Sequence, residues 1–432
     1  MSQNTQSAGR RLSTITIDQG IAGASNVLIA VLAARLLGPS SFGLFGICFL
    51  VYVTAQGISR ALVGEPLLVH PEEAESRGED IAATAVLVGL VLGGLTLVAG
   101  LGASLWIRPL AGGLIALALF LPLLVLQDIG RYRAFAVQRP GFAVVLDTLW
   151  LVLLLVAVVV VTLVGNHSLV LFIAIWAGTG AAAGVLSLRT LTTRATRPSG
   201  AWLRQTWTFS SRYLLSFSAT QGSALAAAVS VAAIAGTRAL GAVQGALLTL
   251  RPFMMFQAAS IAAGVAETSR LSADLASVRR HARRTTLFTS IVAVANMLVL
   301  VFLPSWAGEL LLGKTWAVTQ PLVLAAGSQI LCLGLISGPR AALLGLRLVR
   351  TTLAIDLSST VFLLGLIILG AVLDGARGAF WAVAAGQGVM AVVWWTTFVV
   401  QASGSTVSRG RRRRVAPVQA GGAGRHRGAP RR

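Results

Sequence analysis

Apolar runs of bilayer length recur along this chain from Ser13 to Gln401, and no other feature restricts its fold so tightly. At 1.5 Å per residue, a run of about 20 residues crosses a hydrocarbon core of about 30 Å. Composition removes the soluble alternative: 56% of residues are hydrophobic and 11% charged, whereas an ordinary soluble surface needs roughly a quarter charged. The expected fold class is therefore an all-α polytopic membrane protein.

The pattern predicts about twelve spans, near 13–37, 42–64, 81–105, 112–134, 141–164, 169–190, 208–235, 241–266, 285–311, 321–345, 350–373 and 379–401. Alternate loops separate by charge. One set carries Arg10, Arg77, Arg131, Arg133, Arg139, Arg189, Arg197, Arg204, Arg270, the cluster from Arg279 to Arg284, Arg340, Arg347 and Arg350; the other holds Arg35, Arg108, Arg238, Lys314 and Arg377. The positive-inside rule then predicts that both termini are cytoplasmic. The outer loops are short and leave no external domain. The longest inner connection carries Pro198-Ser199-Gly200 and divides the chain into an N-terminal six-helix bundle (1–190), a linker (191–207), a C-terminal six-helix bundle (208–401) and a basic, disordered cytoplasmic tail (402–432).

The two halves echo one another. Ala34-Arg35-Leu36-Leu37-Gly38, followed by Gly43 and Glu65, is matched by Thr237-Arg238-Ala239-Leu240-Gly241, followed by Gly245 and Glu267. Arg133-Ala134 with Asp147 likewise corresponds to Arg340-Ala341 with Asp356. Six spans separate the copies, so the repeat is parallel, about an axis along the membrane normal. Two such bundles leave a central cleft, and rocking one against the other opens it to each face in turn.

Ala33-Ala34-Arg35-Leu36-Leu37-Gly38-Pro39-Ser40-Ser41-Phe42-Gly43-Leu44-Phe45 and Glu309-Leu310-Leu311-Leu312-Gly313-Lys314-Thr315-Trp316-Ala317 carry a family resemblance. The chain resembles the polysaccharide exporters of the multidrug/oligosaccharidyl-lipid/polysaccharide superfamily. That resemblance implies a flippase moving an undecaprenyl-diphosphate-linked oligosaccharide across the cytoplasmic membrane of a bacterium. A multidrug-type, ion-coupled exporter of small molecules is the alternative within the same superfamily. Polysaccharide-assembly proteins are further expected partners.

Charges within spans usually face a cavity or a partner. Arg251 lies about mid-bilayer in the eighth span, where its planar fork suits a diphosphate or acidic sugar; the other reading is a buried ion pair with a carboxylate. Arg60, the second cavity candidate, is nearer the cytoplasmic end and is expected to snorkel. Glu65 and Glu267 end matching spans, as solvated helix ends or as an inner gate pairing with basic residues across the axis. Asp147 is expected to neutralise Arg133, and Asp356 to neutralise Arg340. Asp128 has Arg131 three residues on, a spacing for a local ion pair, while Asp18 has no local partner; both are candidates for proton or sodium coupling.

No catalytic set, metal site or cofactor is expected. Cys48 and Cys332 read as small buried hydrophobes. Gly308-Glu309-Leu310-Leu311-Leu312-Gly313-Lys314-Thr315 matches the phosphate-loop pattern but closes a membrane span, without the strand and helix that pattern needs. The net charge of +21 resides in inner loops and the tail, which lacks aromatic residues for base stacking, so anionic membrane lipids rather than nucleic acid are its expected partners. Trp106, Trp394 and Trp395 near span ends are expected in interfacial belts.

Overall fold

The computed structural model describes residues 21, 23–165, 168–191 and 197–413. Those residues are helical almost throughout, and no strand occurs among them. In chain order the helices are α1 (Gly23–Leu36), α2 (Gly38–Val69) and α3 (Gly78–Ala103), then α4 (Arg108–Ala136), α5 (Pro140–Val164) and α6 (Leu169–Leu191). The second half holds α7 (Ala201–Ala235), α8 (Thr237–Leu271) and α9 (Leu275–Val301), with α10 (Ser305–Gly345) built from several short turns and one long helix. A final helical stretch, Val349–Arg413, breaks at Asp374 and Gly375, whose φ values are −148° and +54°. That break separates α11 (349–373) from α12 (376–413).

Among the described residues, nine helical stretches are long and apolar enough to cross a membrane, with Gly23–Leu36 and Gln221–Ala235 as shorter apolar helices. Dividing the last stretch at its break gives the expected twelve crossings. Several boundaries differ from expectation: α9 (Leu275–Val301) lies ten residues earlier than its predicted span at both ends, and α10 starts at Ser305 rather than near 321. α7 begins at Ala201, seven residues before the predicted span, because Trp202 is fully buried in an apolar cluster with Leu62, Val63 and Ile81 of the first half. α12 continues to Arg413, so the start of the segment expected to be disordered is helical. Asp18 and residues 414–432 lie outside the described residues.

Local chemistry sets many of the ends. Pro140 opens α5, a position where its missing N–H goes unused. The Asp274 side chain accepts from the Ala276 and Ser277 N–H groups and caps α9, satisfying donors that no turn can reach. Its carboxyl is held below the usual carboxylate range by the Ser277 hydroxyl and then by the Ala276 N–H.

Prolines inside spans release carbonyls that must find another donor. Pro66 cannot donate to the Leu62 carbonyl four residues back; that oxygen accepts instead from the Ser210 hydroxyl of α7 at 3.3 Å. The same region winds as a π-turn over Arg60–Gly64, with the Glu65 N–H donating to the Arg60 carbonyl. Pro339 frees Leu335, whose carbonyl accepts from the Trp395 indole N–H at 3.0 Å. Its neighbour Trp394 is 2% exposed, with the Arg340 guanidinium 5.7 Å from its ring. Trp394 is thus an interior residue and not the belt residue expected, whereas Trp106 is 88% exposed.

In the first half α3 and α6 pack on α4, with α5 against α6; in the second, α9 and α8 pack on α10. The halves meet chiefly through α2 against α8 and α7. Their closest backbone-to-backbone approach joins the two echoed segments. A Cβ on Gly43 would lie 2.3 Å from the Thr237 carbonyl oxygen, and one on Gly241 2.0 Å from that of Pro39. Nearby, the Thr315 hydroxyl donates to the Ala34 carbonyl at 2.8 Å. This seal lies at the face opposite the arginine-rich loops. Along α8, Leu240, Ala246 and Leu250 are buried, but beyond Arg251 the face of Met255, Ala259, Ala262 and Ala266 is exposed. Along α8 the halves therefore close at one face and part toward the other, called here the basic face, where α7 still packs on α2 and α3.

Candidate functional site

A cavity of about 440 Å³ opens in the first half, with Met255 of α8 contributing to its wall. Its polar lining comes from Asn26 of α1, from Tyr52, Gln56 and Arg60 of α2, from Arg131 of α4 and from Asp147 of α5. Tyr52, Gln56 and Arg60 are spaced four apart and so share one helix face. The Gln56 amide donates to the Tyr52 hydroxyl at 2.7 Å. Trp150 and Trp176 complete an apolar side, with the Tyr52 ring edge-on to Trp176 at 4.8 Å.

Four charges organise the floor. Arg60 donates to Asp128 through Nε at 2.7 Å and Nη2 at 2.8 Å. Arg131 lies 3.4 Å from Asp128 and 3.1 Å from Asp147, and the Gln127 amide donates to Asp147 at 2.9 Å. Asp128 is fully buried, Arg131 and Asp147 nearly so, while a third of the Arg60 side chain is exposed. Arg60 is therefore a cavity residue held by a carboxylate, correcting the snorkelling expectation. Asp128 takes the spacing-predicted bond from Arg131 but its shorter bonds come from Arg60.

Asp147 requires a further correction. It pairs with Arg131, not with Arg133, whose Nε donates to the Ala74 carbonyl at 2.9 Å. Two residues on an α-helix turn by about 200°, so Arg131 and Arg133 face opposite sides of α4. In the second half Arg340 Nη2 lies 3.0 Å from Asp356, joining α10 to α11.

Arg251 does not make the buried ion pair, one of its two expected readings. Among the described residues no carboxylate pairs with it. Its Nη1 donates to the Asn26 carbonyl at 3.2 Å, and its guanidinium lies 5.6 Å from the Phe49 ring centre. Asn26 lines the cavity, so Arg251 stands directly behind that wall, bridging the two halves. Glu65 accepts from the Tyr132 hydroxyl at 3.4 Å, and Glu267 pairs with Arg270 at 3.4 Å on its own helix. Among the described residues no gate pairing across the axis forms, and α8 stands away from the first half at that face.

Asn26, Tyr52, Gln56, Gln127 and the two tryptophans escaped the sequence reading; the four-residue spacing of Tyr52, Gln56 and Arg60 was the available signal. A second cavity of about 250 Å³ is nearly apolar, with Leu50, Val231, Leu240 and Phe380 in its wall and Gln244 and Gln329 as polar exceptions. Among the described residues, one group of possible metal ligands gathers, at His70, Glu72 and Glu73, and there Glu73 is engaged by Arg77 and Gln205.

A family model described as polysaccharide biosynthesis protein matches residues 31–321. No curated protein matches the chain. Among solved structures, an inward-facing multidrug resistance MATE family transporter of the MOP superfamily aligns at TM-score 0.69 and 14% identity, covering 88% of this chain and 94% of its own. The lipid II flippase MurJ, in an inward closed conformation, aligns at TM-score 0.65 and 12% identity over 89% and 87% of the two chains. A MOP superfamily transporter from Pyrococcus furiosus, described as having a binding pocket of reverse polarity, aligns at TM-score 0.53 and 15% identity over 91% and 95%. At these identities the likeness is one of fold: about twelve membrane helices in two six-helix bundles around a central cleft.

Proposed function

The chain belongs to the polysaccharide biosynthesis protein family, and from that premise we propose that it is a flippase for a polyprenyl-diphosphate-linked oligosaccharide. It moves this cargo from the cytoplasmic to the outer leaflet of a bacterial cytoplasmic membrane by alternating access. The observation that carries this reading is the charge around the cavity: Arg60, Arg131 and Asp147 line it, Asp128 lies beneath them, and Arg251 stands behind the Asn26 wall with no carboxylate partner among the described residues. A guanidinium fork pairs with phosphate oxygens, and a desolvated excess cation repels a cationic cargo.

In this reading the basic face is cytoplasmic, as the positive-inside rule requires, with both termini on that side. Cargo then enters where the halves are parted, while the Gly43–Gly241 contact closes the far side. Coupling to a proton or sodium gradient acts through competition. A cargo diphosphate competes with Asp128 for the Arg60 fork, and a coupled cation competes with Arg60 for the Asp128 carboxylate.

The multidrug-type exporter draws support from the apolar cavity around Leu240 and Phe380, but Arg251, which has no carboxylate partner among the described residues, opposes the cationic cargo such a site would take. The test is leaflet-resolved analysis of lipid-linked glycans in a strain lacking this gene and any redundant flippase. Accumulation on the cytoplasmic leaflet is expected; normal delivery to the outer leaflet would overturn the reading.

A further inference from the structure

The first turns of α9 carry four arginines on one side. Arg279, Arg280, Arg283 and Arg284 are all exposed, and with Ala276 and Leu287 they line a groove of about 470 Å³. Val278, Ala282 and Thr286, on the other side of the same turns, are buried. The groove is separate from the cavity described above and shares no residue with it.

This arrangement is locally unfavourable. Arg279 with Arg283, and Arg280 with Arg284, are like-charge pairs at helical spacing, which repel. Among the described residues, no carboxylate forms an ion pair with Arg280, Arg283 or Arg284. Asp274 is the acid in their vicinity, and its oxygens already accept from Ala276 and Ser277. A bound anion would relieve this repulsion.

The exposed side of α9 also says what kind of anion. Directly beyond the arginines it becomes apolar, with Leu287 63%, Phe288 58% and Ile291 57% exposed. From Arg284 to Val301 the helix rises about 26 Å, close to the roughly 30 Å of a hydrocarbon core. The four guanidinium groups therefore stand at headgroup level, and the lipid-facing surface begins one turn further on. An acidic peptide or free phosphate would use the charges and leave the apolar continuation unused.

We propose that this groove is a binding site for an anionic glycerophospholipid of the leaflet at the basic face. The lipid phosphate sits among Arg280, Arg283 and Arg284, and an acyl chain runs along Leu287 and Ile291. The site holds a resident lipid beside the transporter and is independent of which cargo the central cavity carries.

The test uses the detergent-solubilised full chain and native mass spectrometry with short-chain phosphatidylglycerol, phosphatidylcholine and glycerol 3-phosphate. Phosphatidylglycerol is expected to bind preferentially and to weaken as salt rises. Each of R280Q, R283Q and R284Q is expected to weaken it about fivefold, from roughly 1 kcal/mol per surface arginine. R350Q, which removes a charge from the same face outside the groove, is expected to leave binding unchanged. The lysine variant R280K/R284K keeps the charge and guards against misfolding; it is expected to bind more weakly than the parent but better than R280Q/R284Q. Equal binding of phosphatidylcholine, or undiminished phosphatidylglycerol binding in R280Q/R284Q, would overturn the site. Glycerol 3-phosphate binding as tightly as the lipid would overturn its assignment to a membrane ligand.

Discussion

Arg60 clasps Asp128 through two parallel hydrogen bonds, of 2.7 and 2.8 Å, tying α2 to α4 beneath the polar cavity. The carboxylate is fully buried while the guanidinium keeps a third of its side chain exposed. One end of the pair is thus fixed in the protein, and the other reaches the space a cargo would fill.

Removing the carboxylate leaves Arg60 and Arg131 competing for Asp147. Asp128→Ala is expected to destabilise the protein by about 3 kcal/mol, the lower end for breaking a buried pair because Arg60 remains partly hydrated. Arg60→Met combined with Asp128→Leu is expected to recover most of that stability without recovering transport. Thermal unfolding in detergent, read beside flux in proteoliposomes, separates the two effects. A double variant that transports normally would remove the pair from the mechanism.

Arg251 is the cation whose loss should touch function more than stability. It has a backbone carbonyl and an aromatic ring as partners, so truncation orphans no buried acid. Arg251→Ala is expected to lower flux of a diphosphate-linked glycan about 10- to 100-fold, the value of one charge-assisted hydrogen bond to phosphate. Membrane insertion should stay normal. Arg251→Lys, which supplies a point charge without the fork, should fall between. Undiminished flux in the alanine variant is the outcome that counts against the cavity's preference for an anion.

The Ser210 hydroxyl and Pro66 form a testable couple. Ser210→Ala leaves the Leu62 carbonyl without its donor, which costs about 1–3 kcal/mol for a buried polar group. Pro66→Ala restores a backbone N–H able to reach that oxygen, so adding it to Ser210→Ala should recover part of the loss. A double-mutant cycle on thermal stability measures the coupling; strictly additive effects would show that the proline is not why Ser210 is needed.

The sequence made the number of crossings legible because bilayer thickness fixes run length, and it made the Asp128–Arg131 contact legible because helical spacing does. It did not display the clasp between Arg60 and Asp128, which are 68 residues apart on different helices. The repeat misled at Arg133. Matching Arg133-Ala134 to Arg340-Ala341 letter by letter ignored the half-turn by which Arg131 and Arg133 differ, and only Arg131 faces α5. Depth alone located Arg251, but its partner is a main-chain carbonyl, which side-chain patterns do not reveal. The stripe of Tyr52, Gln56 and Arg60 was readable by period; taking each charge singly hid it.

The echoed glycines give the sharpest test of alternating access. A methyl group on Gly241 would stand 2.0 Å from the Pro39 carbonyl oxygen, and neither backbone can rotate away as a side chain would. Gly241→Ala must therefore part α2 and α8 at the closed face. Overpacking costs about 1–3 kcal/mol, all of it borne by the sealed conformation. A shift of that size changes the ratio of sealed to open molecules about 5- to 150-fold. The reporter is Gln244→Cys, near the seal on α8, with Cys48 and Cys332 replaced by alanine. Labelling by an impermeant maleimide from the closed face is expected to accelerate when Gly241→Ala is added. Gly94→Ala, where an added Cβ meets nothing within 4 Å, is expected to leave it unchanged. If Gly241→Ala folds and labels no faster than its parent, the glycine contact does not hold that face shut.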